Sequence, residues 1–269
     1  MSVTHLVVGA GNMGGALLAG WLRSGKLRPE ALAILDPAPG ADGQNAIADG
    51  ALSLSDPADI PASVHTVLLA VKPQLFPRIR RGLADTLSPG TIVISIMAGL
   101  SARSLSRTFE TSHIVRAMPN TPAAIGKGVT AYAAPAALDP ERIATIETLL
   151  GATGTVLRVE NDMQIDAVTA VSGSGPAYVF HLCEALASAA QSAGLSSDVS
   201  AALARQTLIG ASALLEQSDK GPDALREAVT SPGGTTQAAL DVLMGPEGLE
   251  PLMRHAVQAA FDRACELSL

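Results

Sequence analysis

Charged residues are scarce in this 269-residue chain: they make up 16% of it, whereas 48% of the residues are hydrophobic. This balance excludes an intrinsically disordered chain, because such chains hold too little apolar surface to fold. The 18 basic residues are outnumbered by 25 acidic ones, which gives a net charge of −7 and an isoelectric point near 5.2. An acidic chain is a poor binder of nucleic acid or of an anionic membrane surface, so we expect neither partner.

Cysteine is also rare. The two cysteines, Cys183 and Cys265, stand far apart within apolar helical patterns. They form neither a CxxC pair nor a cysteine–histidine set, which excludes a disulfide scaffold and a zinc site of that kind. We therefore expect two buried thiols in a reducing compartment, and no metal.

Long uninterrupted hydrophobic runs are missing as well. The apolar stretch over 5–22 is broken by glycine and asparagine, and the stretch over 177–195 contains His181, Glu184 and Gln191. Neither stretch has the continuous apolar length that a bilayer span requires. The N-terminus lacks the basic segment and the cleavage site of a secretory signal. The sequence therefore predicts a cytoplasmic protein that is mature from its first residue.

The first 160 residues contain an alternation of short apolar runs with helical patterns. Short runs that are apolar throughout are typical of strands buried on both faces of a parallel sheet, and helices between them indicate a doubly wound α/β fold. The predicted strands are 6–8, 32–35, 64–71, 91–97, 113–116, 129–132 and 155–157. The predicted helices are 12–24, one after residue 73, one from residue 101, and 140–150.

The chain changes character near residue 160. Asn161 and Asp162 form a good N-cap pair, and no strand-like segment follows them. Alanine recurs at every fourth position from Ala185 to Ala193, so one helix face is flat enough for a second helix to approach closely. Helical patterns cover 163–193, with a kink or restart at the Gly-Pro pair 175–176, and then 198–217, 222–229, 235–244 and 248–267. We predict two domains, 1–162 and 163–269.

A glycine-rich segment, Gly9-Ala10-Gly11-Asn12-Met13-Gly14, follows the first predicted strand and opens the first predicted helix. This GxGxxG spacing is typical of a dinucleotide site. The first glycine permits the turn, the second lets a pyrophosphate approach the backbone, and the third lets helix and strand pack. Because the N–H groups at a helix N-terminus bind phosphate, we predict that Gly9, Gly11, Asn12, Met13 and Gly14 bind a nicotinamide dinucleotide.

Two further segments support a cofactor site. Asp36 follows the second strand, where a carboxylate accepts hydrogen bonds from the adenine ribose, and no lysine or arginine stands between Asp36 and Gly50 to receive a 2′-phosphate. This favours NADH over NADPH; an ordinary turn aspartate is the alternative interpretation. The segment Ala70-Val71-Lys72-Pro73 ends the third predicted strand, at the sheet edge where doubly wound folds bind ligands, so we expect it to lie near the cofactor.

A second site-like segment is the loop Thr230-Ser231-Pro232-Gly233-Gly234-Thr235-Thr236, which precedes a predicted helix. Its glycines expose backbone N–H groups and its hydroxyls surround them, which suits a carboxylate or a phosphate. Reduction of a carbonyl would need an acid to protonate the alkoxide. The stretch 176–181, directly after the glycine cluster, holds no lysine, and His181 is expected to be a core residue. An imine can arrive already protonated, so this loop favours an imine substrate.

Taken in order, five segments resemble the pyrroline-5-carboxylate reductases, the last enzymes of proline synthesis. They are GAGNMGGALLAG from Gly9, AVKPQ from Ala70, VRAMPNTPA from Val115, AVSGSGPAYVF from Ala170 and VTSPGGTT from Val229. The resemblance covers essentially the whole chain. It implies an α/β protein with an N-terminal Rossmann-type doubly wound sheet, an all-α C-terminal dimerisation domain, and reduction of 1-pyrroline-5-carboxylate to L-proline by NADPH or NADH.

The resemblance also implies roles for individual residues. Thr236 would face the ring nitrogen of the substrate as the catalytic residue, while the substrate carboxylate would be held by Ser231, Gly233, Gly234 and Thr235. The nicotinamide pocket would be lined by Ala98, Met118, Pro119 and Asn120. Two positions depart from the family pattern: Asp36 replaces residues suited to NADPH, and Asp219 stands where some members carry a glutamate near the substrate.

Alternatives remain open from the residues alone. One is a Rossmann-type dehydrogenase of a small 3-hydroxy acid, and another is a non-catalytic dinucleotide sensor. The absent lysine argues against the first, and the intact SPGGTT loop argues against the second. The low-charge helical array predicts a homodimer. We also expect assembly into a larger homo-oligomer such as a decamer.

Overall fold

The computed structural model describes residues 2–111 and 113–267. By its internal contacts the chain divides into two compact units. The first runs from the N-terminus to Ser174 and includes the chain from Ala260 onward; the second spans Gly175–Ala259.

The first unit is built on one eight-stranded sheet with the order β3-β2-β1-β4-β5-β6-β7-β8. Every neighbouring pair is parallel except β6 and β7. The strands are β1 (His5–Val8), β2 (Leu32–Leu35), β3 (Leu52–Leu54), β4 (Thr66–Leu69), β5 (Ile92–Ser95), β6 (Ile114–Met118), β7 (Gly128–Ala133) and β8 (Gly154–Arg158). The predicted Rossmann-type fold is confirmed.

Helices cover both faces of this sheet, since successive residues of a strand point to opposite sides. Val7 of β1 packs in one hydrophobic cluster with Leu17 and Trp21, whereas Leu6 and Val8 pack in another. The indole N–H of Trp21 donates to the Leu149 carbonyl at 2.7 Å, which ties the first helix to the helix over 140–150. The helices are α1 (Asn12–Arg23), α2 (Ala41–Ala48), α3 (Phe76–Thr86), α4 (Ala102–Phe109), α5 (Pro140–Leu150) and α6 (Asp162–Val168).

Two elements and one strand direction were not predicted. Strand β3 is three residues long and exposes two of them, so it lacks a continuous apolar run. Helix α2 lies in a segment rich in glycine, alanine and aspartate, where helical periodicity is weak. Strand β7 runs antiparallel to β6 because only a short segment, with a 3₁₀ turn at Thr121–Ile125, connects the two; a parallel crossover needs a longer connection.

The remaining helices follow a π-helical segment at Thr169–Gly173, and the first of them begins at Gly175, where the kink or restart at the Gly-Pro pair was expected. They are α7 (Gly175–Ser192), α8 (Ser197–Gln217), α9 (Pro222–Ala228), α10 (Thr235–Leu243) and α11 (Leu249–Leu267). Helices α7 and α8 pack against each other. Over 175–259, however, Ser200 and Ala204 are the only buried residues.

Two expectations about burial were wrong. His181 on α7 is not a core residue: its side chain is 82% exposed and pairs with Glu184 at 3.1 Å. Cys183 on the same helix and Cys265 on α11 are free thiols, and both are half-buried rather than buried. Helix α7 has no buried residue, so its apolar pattern does not form a core within this chain. Among the described residues no helix has the length and apolarity to cross a membrane.

Candidate active site

The three glycines of the GxGxxG loop have different surroundings. Gly9 has a φ of +91°, and a Cβ there would lie 2.8 Å from Cγ1 of Val71. A Cβ on Gly14 would overlap the Gly9 carbonyl oxygen. A Cβ on Gly11 would meet nothing within 4 Å, so the space beside this residue is open. The first and third glycines therefore serve packing, and the second leaves room where a pyrophosphate would approach the backbone.

The start of α1 offers unpaired donors to such a group. Gly11 is the N-cap residue, no side chain caps the helix, and its first turn contains no acidic residue. Gly11 and Asn12 are exposed and Met13 is half-exposed. An uncapped helix N-terminus with accessible N–H groups is a site for phosphate oxygens. This fits the pyrophosphate of a dinucleotide.

Asp36 lies directly after β2 and is bonded to the same loop. The Ala10 N–H donates to Asp36 Oδ2 at 2.7 Å, and the Ala38 N–H donates to Asp36 Oδ1 at 2.8 Å. The second bond is the local turn contact that the alternative interpretation anticipates. Asp36 is half-exposed, and each of its oxygens keeps a second lone pair for a ribose hydroxyl.

The segment from Ala70 to Pro73 follows β4, the neighbour of β1 on the side away from β2. The Ala70 N–H donates to the Val8 carbonyl at 2.8 Å, which holds the segment beside the glycine loop. The ammonium group of Lys72 is exposed and makes no ion pair with any described residue. Strand order reverses between β1 and β4, and ligands of doubly wound folds bind at such a point.

The residues expected around the nicotinamide lie at the end of β6 and in the segments that follow β5 and β6. Ala98 and Met118 pack in one small cluster with Ile165 of α6. Pro119 and Asn120 are buried. The Asn120 Oδ1 accepts the Val129 N–H at 3.0 Å, so this side chain fixes the turn between β6 and β7.

A buried arginine that was not predicted supports this part of the sheet. Arg116 of β6 is 2% exposed; its Nη1 lies 2.9 Å from Asp162 Oδ1 and its Nη2 lies 3.6 Å from Asp166 Oδ1. Asp162 Oδ2 also accepts the Ala102 N–H at 2.8 Å. The cluster joins β6 to the first turns of α4 and α6. An arginine inside the apolar run IVRAM is the sequence signal that marks such a buried ion pair.

The loop that carries the proposed substrate residues belongs to the second unit. Gly233 has a φ of +70° and open space beside it, and Gly234 is the N-cap of α10 without a side-chain cap. Ser231 and Thr235 are exposed and Thr236 is half-exposed. Within the described chain, the three hydroxyls have no hydrogen-bond partner. The loop therefore presents free N–H and O–H donors, as a carboxylate requires.

Comparison with known proteins identifies the family. A curated pyrroline-5-carboxylate reductase from Synechocystis is 38% identical over 268 residues, which cover 99% of each chain. The chain belongs to the pyrroline-5-carboxylate reductase family. A solved member from Coxiella burnetii matches with a TM-score of 0.90 and 32% identity over 100% of both chains. One from Plasmodium falciparum, solved with NADP bound, matches with a TM-score of 0.82 and 26% identity over 99% and 98% of the two chains.

Two family models match separate parts of this reductase-family chain. Residues 6–99 match a model described as NADP oxidoreductase, coenzyme F420-dependent. Residues 162–267 match a model described as pyrroline-5-carboxylate reductase dimerisation. The chain therefore has a dinucleotide-dependent oxidoreductase part and a part that associates with another subunit.

Proposed function

We propose that this chain reduces 1-pyrroline-5-carboxylate to L-proline with a nicotinamide dinucleotide as the reductant. The loop from Ser231 to Thr236 is the observation that carries the proposal. It combines an uncapped helix start, open space at Gly233 and unpaired hydroxyls, and it contains no acidic side chain. Such a loop binds an anion and offers no strong acid, which suits a cyclic imine that bears a carboxylate.

The cofactor side of the proposal assigns roles in the first unit, within residues 1–162. The backbone N–H groups from Gly11 to Gly14 would bind the pyrophosphate, Gly9 would shape the turn, and Asp36 would accept the adenine ribose hydroxyls. The segment from Ala70 to Pro73 would line the other wall. Ala98, Met118, Pro119 and Asn120 would surround the nicotinamide. When bound, the cofactor supplies the hydride that reduces the imine carbon.

The substrate side assigns roles within residues 163–269. Ser231, Gly233, Gly234 and Thr235 would bind the carboxylate, and Thr236 would hydrogen-bond the ring nitrogen. That nitrogen changes most in basicity as hydride reaches the adjacent carbon, so a contact to it acts in the transition state. No protein acid is required if the imine binds in its protonated form.

The proposal extends to the assembly and its place in the cell. We infer a homodimer formed by residues 163–269, further assembled into a larger homo-oligomer such as a decamer, and a cytoplasmic location. The dimer rests on the dimerisation family model and on the exposed apolar residues of the second unit. The decamer and the location are predictions that light scattering and cell fractionation would test.

The direct test is a steady-state assay of reduced-nicotinamide oxidation with pyrroline-5-carboxylate and each cofactor in turn. We expect turnover with both, and none with small 3-hydroxy acids in the reverse direction with the oxidised cofactor. Turnover of a 3-hydroxy acid alone would assign the chain to the other dehydrogenase class. Cofactor binding without turnover of any imine would make it a dinucleotide sensor.

A further inference from the structure

The basic residues of this acidic chain are unevenly placed. Five of its arginines stand on the neighbouring helices α3 and α4, although acidic residues outnumber basic ones 25 to 18 overall. Those on α3 are Arg78, Arg80 and Arg81, and those on α4 are Arg103 and Arg107. None of them belongs to the loops assigned above to cofactor or substrate.

Four of these arginines line one groove. Arg80 and Arg81 from α3 face it together with Arg103 and Arg107 from α4, and its volume is about 670 Å³. All four side chains belong to exposed residues. The groove volume lies within the range of small-molecule sites, roughly 300–1,000 Å³.

The groove arginines have no anionic partner among the residues that the structure describes. None of the four forms an ion pair or a side-chain hydrogen bond in the ranges that the structure describes. Asp85 and Glu110 stand on or next to the same helices, yet neither pairs with an arginine there. Asp162, which binds the first N–H of α4, is already paired with Arg116 at 2.9 Å.

This arrangement is unfavourable in the absence of an anion. Arg103 and Arg107 are four residues apart on one helix, and like charges at that spacing destabilise it. The two arginines of α3 add charge of the same sign to the same groove. A bound anion would offset this repulsion, because it attracts each guanidinium group.

The other lining groups indicate what kind of anion fits. Ser101 and Ser104 contribute hydroxyls to the lining, whereas the Thr108 hydroxyl already donates to the Ser104 carbonyl at 3.1 Å; Ala84 is the one apolar residue there. The guanidinium fork matches phosphate oxygens in pairs, and hydroxyls add donors. With no aromatic or large aliphatic side chain in the lining, the groove offers contacts to phosphates and little to a base or a ring.

We propose that this groove binds a compact polyphosphate group, free or at the end of a nucleotide. A di- or triphosphate carries enough negative charge to meet four guanidinium groups within one groove. A long polyanion such as nucleic acid would also meet the field of a chain whose net charge is −7. The site is separate from the proposed ribose contact: α3 and α4 follow β4 and β5, whereas Asp36 follows β2 on the other side of β1.

The test is calorimetric titration of the full chain with inorganic tripolyphosphate at low salt, with saturating NADH present so that the proposed cofactor site is filled. We expect one saturable site per chain. Arg103→Gln/Arg107→Gln should weaken binding by about tenfold or more, since two charge-assisted contacts are removed. Arg80→Gln/Arg81→Gln should do the same, so the result does not depend on the folding of one variant.

The matched control is Arg254→Gln/Arg263→Gln, which removes the same charge from α11, where each arginine has a glutamate partner. Equal weakening by the control and by the groove variants would overturn the proposal, because it would show that only net charge matters. Absence of saturable binding would overturn it as well.

Titrations with different phosphate compounds distinguish a free polyphosphate from one carried by a nucleotide. Similar affinities for tripolyphosphate and ATP, with weaker binding of inorganic phosphate, would support recognition of the polyphosphate itself. Binding of ATP without tripolyphosphate, or tighter binding of duplex DNA than of either, would contradict the proposal. None of these outcomes depends on whether the chain reduces an imine.

Discussion

The two units of this chain use apolar residues in different ways. In the first, the apolar runs of the strands are buried in clusters on both faces of the sheet. In the second, large apolar side chains remain exposed, among them Phe180 at 65%, Leu214 at 64% and Val242 at 75%. Soluble monomers rarely leave large apolar patches in water, whereas obligate interfaces bury such surface between subunits. An apolar pattern therefore predicts burial but not which chain provides the partner surface.

The largest expected effect comes from the alanine face of α7. Ala189→Phe should convert the dimer to monomer or aggregate, because a phenyl ring cannot fit where two helices approach closely. Sedimentation velocity measures the assembly, and fluorescence titration measures NADH binding. We expect the assembly to be lost while the affinity for NADH changes little. A stable, active monomer of the unmodified chain at micromolar concentration would contradict the dimer itself.

A control for that change is Ala136→Phe, which places the same ring at an exposed loop position of the first unit. It should leave the assembly intact. If both variants dissociate, added apolar surface rather than the α7 face is responsible.

The next largest effect is expected at the open position of the glycine loop. Gly11→Val introduces a side chain into space that is free of protein atoms, at a φ of −75° that any residue adopts. The first unit should keep its stability, but NADH affinity should fall by about a hundredfold, or about 2.7 kcal/mol, because the side chain occupies the approach to the backbone. Unchanged NADH affinity in a folded variant would show that Gly11 does not face the cofactor.

Acid should destabilise the first unit through His5 at the start of β1. Burial, and the neighbouring His65, lower the pKa of His5 from 6.5 to about 4. The unfolded state therefore binds more protons between these values, and stability present above pH 6.5 is lost as the pH falls toward 4. The free energy of unfolding should be lower by about 2 kcal/mol near pH 5 than above pH 6.5.

Urea unfolding followed by Trp21 reports this change, since Trp21 is the only tryptophan and is buried in the first unit. His5→Gln should flatten the dependence of the free energy of unfolding on pH, whereas His255→Gln, at an exposed site on α11, should leave that dependence unchanged. If the free energy of unfolding falls equally steeply with pH in the two variants, His5 is not the source of the loss.

Local patterns in the sequence encode much of the fold and of the candidate site. The seven long strands, the GxGxxG turn and the loop before α10 were predictable because each has its own periodicity or glycine spacing. Strand β3 was missed because an edge strand of three residues has no such pattern. The direction of β7 and the ion pairs of Arg116 depend on residues that are distant in the sequence. The exposure of His181 and Cys183 could not be inferred either, since it depends on whether the partner surface belongs to the same chain.

A smaller effect is expected in the substrate loop, where two hydroxyls are compared. Thr236→Ala should lower kcat by about tenfold or more, because one charge-assisted hydrogen bond is worth about 1.5–3 kcal/mol and this one strengthens toward the transition state. Ser231→Ala removes one carboxylate contact among several and should mainly raise KM. Both variants are assayed at the same saturating cofactor concentration. If Thr236→Ala changes KM alone, the hydroxyl is a binding contact, and proton delivery falls to water or to the protonated substrate.

The smallest effect concerns the choice of cofactor, which rests on Asp36. A carboxylate that faces a 2′-phosphate is a like-charge contact, so NADH should be used at least as well as NADPH. Asp36→Ser should shift the ratio of kcat/KM values toward NADPH by about tenfold, or about 1.4 kcal/mol. This variant also removes the acceptor of the Ala10 N–H, so Asp36→Asn, which keeps the side-chain size and loses the charge, is the matched comparison. If charge decides, both variants shift the ratio. If the bond to Ala10 decides, the serine variant lowers kcat/KM for both cofactors equally, and the asparagine variant lowers it for neither.

A kcat/KM for NADPH more than about tenfold above that for NADH in the unmodified chain would contradict this prediction. Asp36 would then be a turn residue, held in place by its bonds to Ala10 and Ala38.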